Sequence, residues 1–157
     1  SRYLVTDSSR APTGELADVK GTPMDFLQKK TLGRDINADF HPLAYGKGYD
    51  HGWAADGGQP GKLSTGARLE SPLAHGRVLE GESTLPAVQV YTANWLTCSS
   101  PEGKDGAAYR DYDAVAIECQ GFPDAPNHPE FPSQRLNPGE EYRQTIRYIF
   151  KSKDFEK

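Results

Sequence analysis

Three short stretches hold the side chains whose types and spacing could do chemistry. In residues 114–120, Ala-Val-Ala-Ile-Glu-Cys-Gln, the two-residue period of a strand puts Val115, Ile117 and Cys119 on one face and Ala114, Ala116, Glu118 and Gln120 on the other. The first face reads as core. On the second, two methyl-sized side chains leave space beside a carboxylate and an amide, which is the make-up of a ligand pocket. The same alternation also describes a solvated face carrying one surface glutamate. Residues 87–94 repeat the arrangement, with Val88 and Val90 on one face and Gln89 and Tyr91 on the other. An amide beside an aromatic ring suits a sugar, whose C–H faces stack on rings and whose hydroxyls need donors and acceptors. Plain cross-strand packing is the alternative there. The third stretch is Gly48-Tyr49-Asp50-His51-Gly52-Trp53. Neighbours in an extended segment face opposite ways, so of Asp50 and His51 one points into a site while the other holds structure. His51 alone reads more readily as a satisfied structural histidine than as a catalyst. The four histidines, His41, His51, His75 and His128, lack a metal-ligand pairing such as i, i+4, so no metal or other cofactor is expected.

The elements that must position these residues are short strands. The chain of 157 residues carries 16 glycines and 12 prolines, a turn-rich composition that excludes a helical bundle. Alternating runs bounded by Gly, Pro, Asn or Asp predict strands at 15–20, 67–71, 77–84, 87–94, 114–120 and 142–151. One short helix is predicted at 24–32, after Thr22-Pro23. Residues 121–139 hold five prolines and form a loop, which Phe122 and Phe131 would anchor as an ordered segment. No repeat or composition shift divides the chain, so residues 1–157 read as one unit of an all-β, mainly antiparallel β-sandwich.

The formal charge of −4, with no basic run longer than Lys29-Lys30, excludes the electrostatic footprint of a nucleic-acid binder. No apolar stretch approaches the roughly 20 residues of a membrane span, and the first residues lack the apolar core of a secretory signal. The expected location is the cytoplasm, with Cys98 and Cys119 as free thiols. The chain opens Ser1-Arg2-Tyr3, and its single methionine is Met24, so translation is expected to begin upstream of position 1.

Several blocks stand in a fixed order: Gly21-Thr22-Pro23-Met24-Asp25-Phe26, Gly33-Arg34-Asp35-Ile36, Gly48-Tyr49-Asp50-His51, Gly76-Arg77-Val78-Leu79-Glu80, Val88 through Asn94, Glu118 through Asn127, and Pro138-Gly139-Glu140-Glu141-Tyr142. In that order they resemble the galactose mutarotases (aldose 1-epimerases), from about Pro12 to Phe150. The resemblance implies a galactose mutarotase-like supersandwich, of which this chain is the C-terminal portion, and an activity that interconverts the α and β anomers of free aldohexoses such as galactose and glucose. It implies that Glu118 is the general base, that Asp50 binds sugar hydroxyls and that Gln89 contacts the sugar. Tyr91 and Gln120 join them as substrate-binding candidates. The family's acid, a histidine, lies in the first half of the fold, so an N-terminal half chain is the expected partner. Gly52-Trp53 stands where the family more often has Asn followed by Phe, which leaves sugar preference open. A noncatalytic sugar-binding or structural subunit is the alternative reading, and a glycoside hydrolase using Asp50 and Glu118 as its carboxylate pair is a third.

Overall fold

The computed structural model describes residues 1–57, 61–72, 76–99 and 103–152, and of 98 and 99 the backbone only. Eight strands run through the described chain: β1 (Arg2–Thr6), β2 (Pro12–Asp18), β3 (Asp50–Ala54), β4 (Ser64–Ser71), β5 (Arg77–Ser83), β6 (Ala87–Tyr91), β7 (Ala116–Gln120) and β8 (Ile146–Lys151). Among the described residues helix is limited to α1 (His41–Gly46), α2 (Leu96–Ser99) and three 3-10 turns. The strands form a five-stranded sheet of order β2-β1-β3-β6-β7 and a three-stranded sheet of order β4-β5-β8. β1 pairs antiparallel with β2 and β3, and β5 with β4 and β8. The all-β, mainly antiparallel class expected from the short alternating runs is therefore the class observed. Among the described residues no helix is long and apolar enough to cross a membrane.

The chain gathers into two compact units, one made of Ser1–Trp53 and Gln89–Glu118, the other of Ala54–Val88 and Cys119–Lys157. Each is drawn from two separate stretches of sequence, so no composition shift marks a boundary. The core of the first unit is Tyr3, Val19, Met24, Leu43 and Tyr49, with Phe26, Phe40 and Trp53 packed against it. Phe26, Tyr49 and Trp53 meet edge to face or tilted at 5.2 to 6.3 Å between ring centres, the geometry that the aromatic quadrupole favours.

The helix predicted at 24–32 is not formed. A helix there would have the Pro23 and Met24 carbonyls accept from residues 27 and 28. Instead the Pro23 carbonyl accepts from Tyr49 Oη at 3.1 Å and Lys30 Nζ at 2.6 Å, and the Met24 carbonyl from Trp53 Nε1 at 3.0 Å. The Leu27 N–H is diverted to Asp25 Oδ1 at 3.0 Å. Side chains have taken both ends of the helical ladder, a competition that periodicity does not register.

In the second unit, Phe122 and Phe131 are buried and stack with ring centres 4.6 Å apart, so the proline-rich loop is the ordered, anchored segment expected. Cys119 is a buried free thiol whose pKa burial pushes up; the Cys98 side chain and His75 lie outside the described residues.

Two features of the first unit lock the start of β3. Gly48 has φ +133°, and a Cβ there would lie 2.9 Å from Asn94 Oδ1, so only glycine fits. Asn94 is fully buried and donates to the carbonyls of Gly46 at 2.8 Å and Tyr49 at 3.0 Å. It also accepts from the Thr92 hydroxyl, whose oxygen in turn accepts from the Tyr49 N–H at 3.1 Å. The second feature is His51, buried next to Asp50. Its Nδ1 accepts the Asp50 N–H at 3.0 Å, and its other nitrogen donates to the Pro42 carbonyl, since proline has no N–H to offer. Both ring nitrogens are used and the tautomer is set. Burial holds its pKa down at about 4.

Two stability predictions arise. Asn94→Ala strips partners from two buried carbonyls and a hydroxyl and should cost about 3 kcal/mol, read as a urea midpoint lower by ~1–2 M. For His51, the unfolded chain takes up a proton below 6.5 but the folded chain only below about 4. Between those values the unfolded state holds the extra proton. The protein should thus be stable above pH 6.5 and lose on the order of 3 kcal/mol as pH falls to about 4, with His51→Gln flattening the slope of denaturation midpoint against pH.

Candidate functional site

Each of three neighbouring strands in the five-stranded sheet contributes to the site: β3 carries Asp50, β6 carries Gln89 and Tyr91, and β7 carries Glu118. Gln89 Nε2 donates to Asp50 Oδ1 at 2.9 Å, so the amide and the carboxylate share one face. Gly52, two residues on from Asp50, points the same way. A Cβ there would come within 3.2 Å of Gln89 Oε1, so the missing side chain leaves Gln89 room to lie against Asp50.

Strand alternation places Glu118 on that face too. Inside the second unit, Val88 is buried against Gly66 and Cys119 against Ser83. The residues that follow Val88 on β6 and precede Cys119 on β7 must then face the opposite way, and these are Gln89 and Glu118. Asp50, Gln89 and Glu118, all of the first unit, therefore lie on one side of three consecutive strands.

The two carboxylates differ in surroundings. Asp50 is half-buried and held by the Gln89 amide. Glu118 is exposed, and among the described residues its side chain makes no hydrogen bond or ion pair. An oriented carboxylate suits binding, and one with all its lone pairs open suits proton transfer. Tyr91 is half-buried and its hydroxyl oxygen accepts the Trp95 N–H at 3.0 Å, which leaves its own O–H to donate. Gln120 ends β7, half-buried, and belongs to the second unit.

His51, buried and neutral with both nitrogens engaged, supports β3 and offers no proton to a ligand. His41 is exposed and packs on Tyr45, while His128 sits between Asp124 and Glu130 at 3.3 Å from each. Among the described residues no cluster of three or more His, Cys, Asp or Glu side chains is placed to hold a metal ion. Sequence reasoning assigned no role to Thr92 and Asn94, the residues that fix the approach to Asp50. The available signal was Gly48 next to the Asp50 block, since such a glycine implies a close neighbour.

Comparison with known proteins places the chain. The aldose 1-epimerase family model matches residues 1–149. Human galactose mutarotase is 40% identical over 148 residues, which is 94% of this chain and 41% of that protein. The aldose 1-epimerase of Escherichia coli strain K12 is 34% identical over 156 residues, 94% of this chain and 42% of that protein. Among solved structures, an aldose epimerase homologue from C. elegans superimposes with a TM-score of 0.78 at 28% identity, covering 96% of this chain and 43% of that one. A galactose 1-epimerase from Lactobacillus acidophilus shares the fold, with a TM-score of 0.71 at 24% identity and coverage of 96% and 41%. The chain thus spans about two-fifths of the length of the relatives it matches. The match of the family model over nearly all of its residues shows that the chain belongs to the aldose 1-epimerase family.

Proposed function

We propose that this chain is the C-terminal part of an aldose 1-epimerase that interconverts the α and β anomers of free aldohexoses in the cytoplasm. In this reading residues 1–157 are a portion of one larger galactose mutarotase-like domain, completed by an N-terminal half. The observation that carries it is the alignment of Asp50, Gln89 and Glu118 on one face of β3, β6 and β7, with Gln89 donating to Asp50 at 2.9 Å.

Glu118 takes the proton from the anomeric hydroxyl as the acid protonates the ring oxygen. The C1–O5 bond breaks, the aldehyde rotates about C1–C2, and closure on the other face returns both protons. Asp50 and Gln89 hold sugar hydroxyls, with Tyr91 and Gln120 as further contacts, so that C1 stays within reach of Glu118. No cofactor enters this scheme. The acid is a histidine of the N-terminal half, a role that the buried His51 cannot fill.

The engagement of His51 also favours a second reading, a noncatalytic sugar-binding or structural subunit that retains this part of the fold. Polarimetry on freshly dissolved α-galactose separates the two. Acceleration by the chain together with its N-terminal half, lowered ~10²- to 10⁴-fold in kcat by Glu118→Gln, is the expected result. An uncatalysed rate in the presence of sugar binding would leave the noncatalytic subunit. Gln89→Ala should act on binding, since it frees Asp50 to turn. The loss of one charge-assisted hydrogen bond, about 1.5 kcal/mol, should raise KM about tenfold with little change in kcat.

A further inference from the structure

β7 is the last strand in the order of the five-stranded sheet, and it ends at Gln120. The next residue is Gly121, so the backbone that aims Gln120 runs straight into the most freely turning residue type. Gln120 is half-buried, and among the described residues its amide makes no hydrogen bond. With no neighbour to hold it, such an amide is aimed by its own backbone and stays open to an outside partner.

The chain comes back to this point from the far end of the proline-rich loop. Gln134 Nε2 donates to the Phe122 carbonyl at 2.8 Å, across 12 residues. A Cβ at Gly121 would overlap the same amide, 2.7 Å from Nε2, so the Gln134 side chain lies in the space that a side chain at 121 would fill. Gly121 does not have a positive φ, so its backbone does not call for glycine. The missing side chain is instead a seat for Gln134. The loop is arranged to deliver that amide: Phe122 and Phe131 stack with ring centres 4.6 Å apart, the Phe131 N–H donates to the His128 carbonyl at 2.9 Å, and the Arg135 N–H donates to Ser133 Oγ at 3.2 Å, turning the chain at Gln134. Gln120, Gly121, Phe122 and Gln134 all belong to the second unit, so the arrangement is complete within it.

We infer that Gln134 is a positioning residue, which fills the seat on Gly121, holds the Phe122 carbonyl and so fixes the direction in which Gln120 presents its amide to a sugar hydroxyl. This rests on the proposed function, which makes Gln120 a sugar contact. Because Gln134 acts through Gln120, it bears on sugar affinity. Glu118 lies further back inside β7, so proton transfer is spared.

The test measures galactose affinity by NMR titration, and KM and kcat by polarimetry, on the 157-residue chain together with its N-terminal half. Gln134→Ala removes the amide, and Gly121→Ala evicts it from the other side without backbone strain. Each should weaken galactose binding and raise KM about fivefold, the share of one hydrogen bond, with kcat little changed. In a Gln120→Ala background neither should alter KM further, because the contact they serve is already gone. Arg135→Ala, an exposed neighbour, is the control. If Gln134 only anchors the loop, its loss lowers the thermal midpoint and the active fraction, hence kcat, at unchanged KM, and that result overturns the inference. So does Gly121→Ala with unchanged affinity, or a KM effect that persists without Gln120. Galactose binding that responds as expected, with no acceleration of mutarotation, would sink the enzymatic reading and leave the role of Gln134 standing. Mutarotation with a KM indifferent to these variants would do the reverse, and a chain that binds no galactose would remove both.

Discussion

The candidate site depends on one buried set of hydrogen bonds, from Thr92 and Asn94 to the backbone of Gly46 and Tyr49. A buried amide that meets all its partners rigidifies its surroundings, whereas one missing a partner carries the full desolvation cost. This set joins the residues just after β6 to those just before β3, and so fixes where Asp50 emerges relative to Gln89. The positive φ of Gly48 is part of the same arrangement, since any side chain at that position would drive Asn94 out of place.

His51 extends the constraint by one residue. An imidazole that accepts from the Asp50 N–H and donates to the Pro42 carbonyl fixes both the strand and the neighbouring helix α1. The same engagement removes it from acid–base chemistry, because a proton added at Nδ1 would have to displace the Asp50 N–H inside an apolar environment. Asp50 and His51 therefore divide the work as opposite-facing neighbours in a strand must, one turned to the site face and the other holding structure. The carboxylate turns to the Gln89 face and the imidazole turns to the core.

How much of this was legible in the sequence depended on whether packing or local hydrogen bonding decided the outcome. Period-2 alternation located β4 to β8, and put Cys119 in the core and Glu118 on the open face, because burial on one side of a strand dictates that pattern. β1 was not found: Tyr3 and Leu4 are both buried, so Arg2–Thr6 lacks a polar alternation. Helix α1 was hidden for a different reason. Its N-terminus has Pro42 in the first turn but no side-chain cap, so the usual start signal is absent. At 24–32 the failure ran the other way, since apolar spacing promised a helix whose carbonyls Tyr49, Trp53 and Lys30 had claimed. The adjacency of β3, β6 and β7 is a matter of topology, which spacing along the chain does not encode.

General acid–base ring opening needs two groups, one at the anomeric hydroxyl and one at the ring oxygen, and each must be within hydrogen-bond reach of its atom at the same moment. The chain provides one carboxylate with its lone pairs open, Glu118, and a second, Asp50, held by the Gln89 amide. Both stand on strands of one sheet face, so they approach a ligand from the same side. Under the proposed function the N-terminal half brings the acid. In that reading its docking assembles the catalytic pair, because Glu118 alone has no acid to work with.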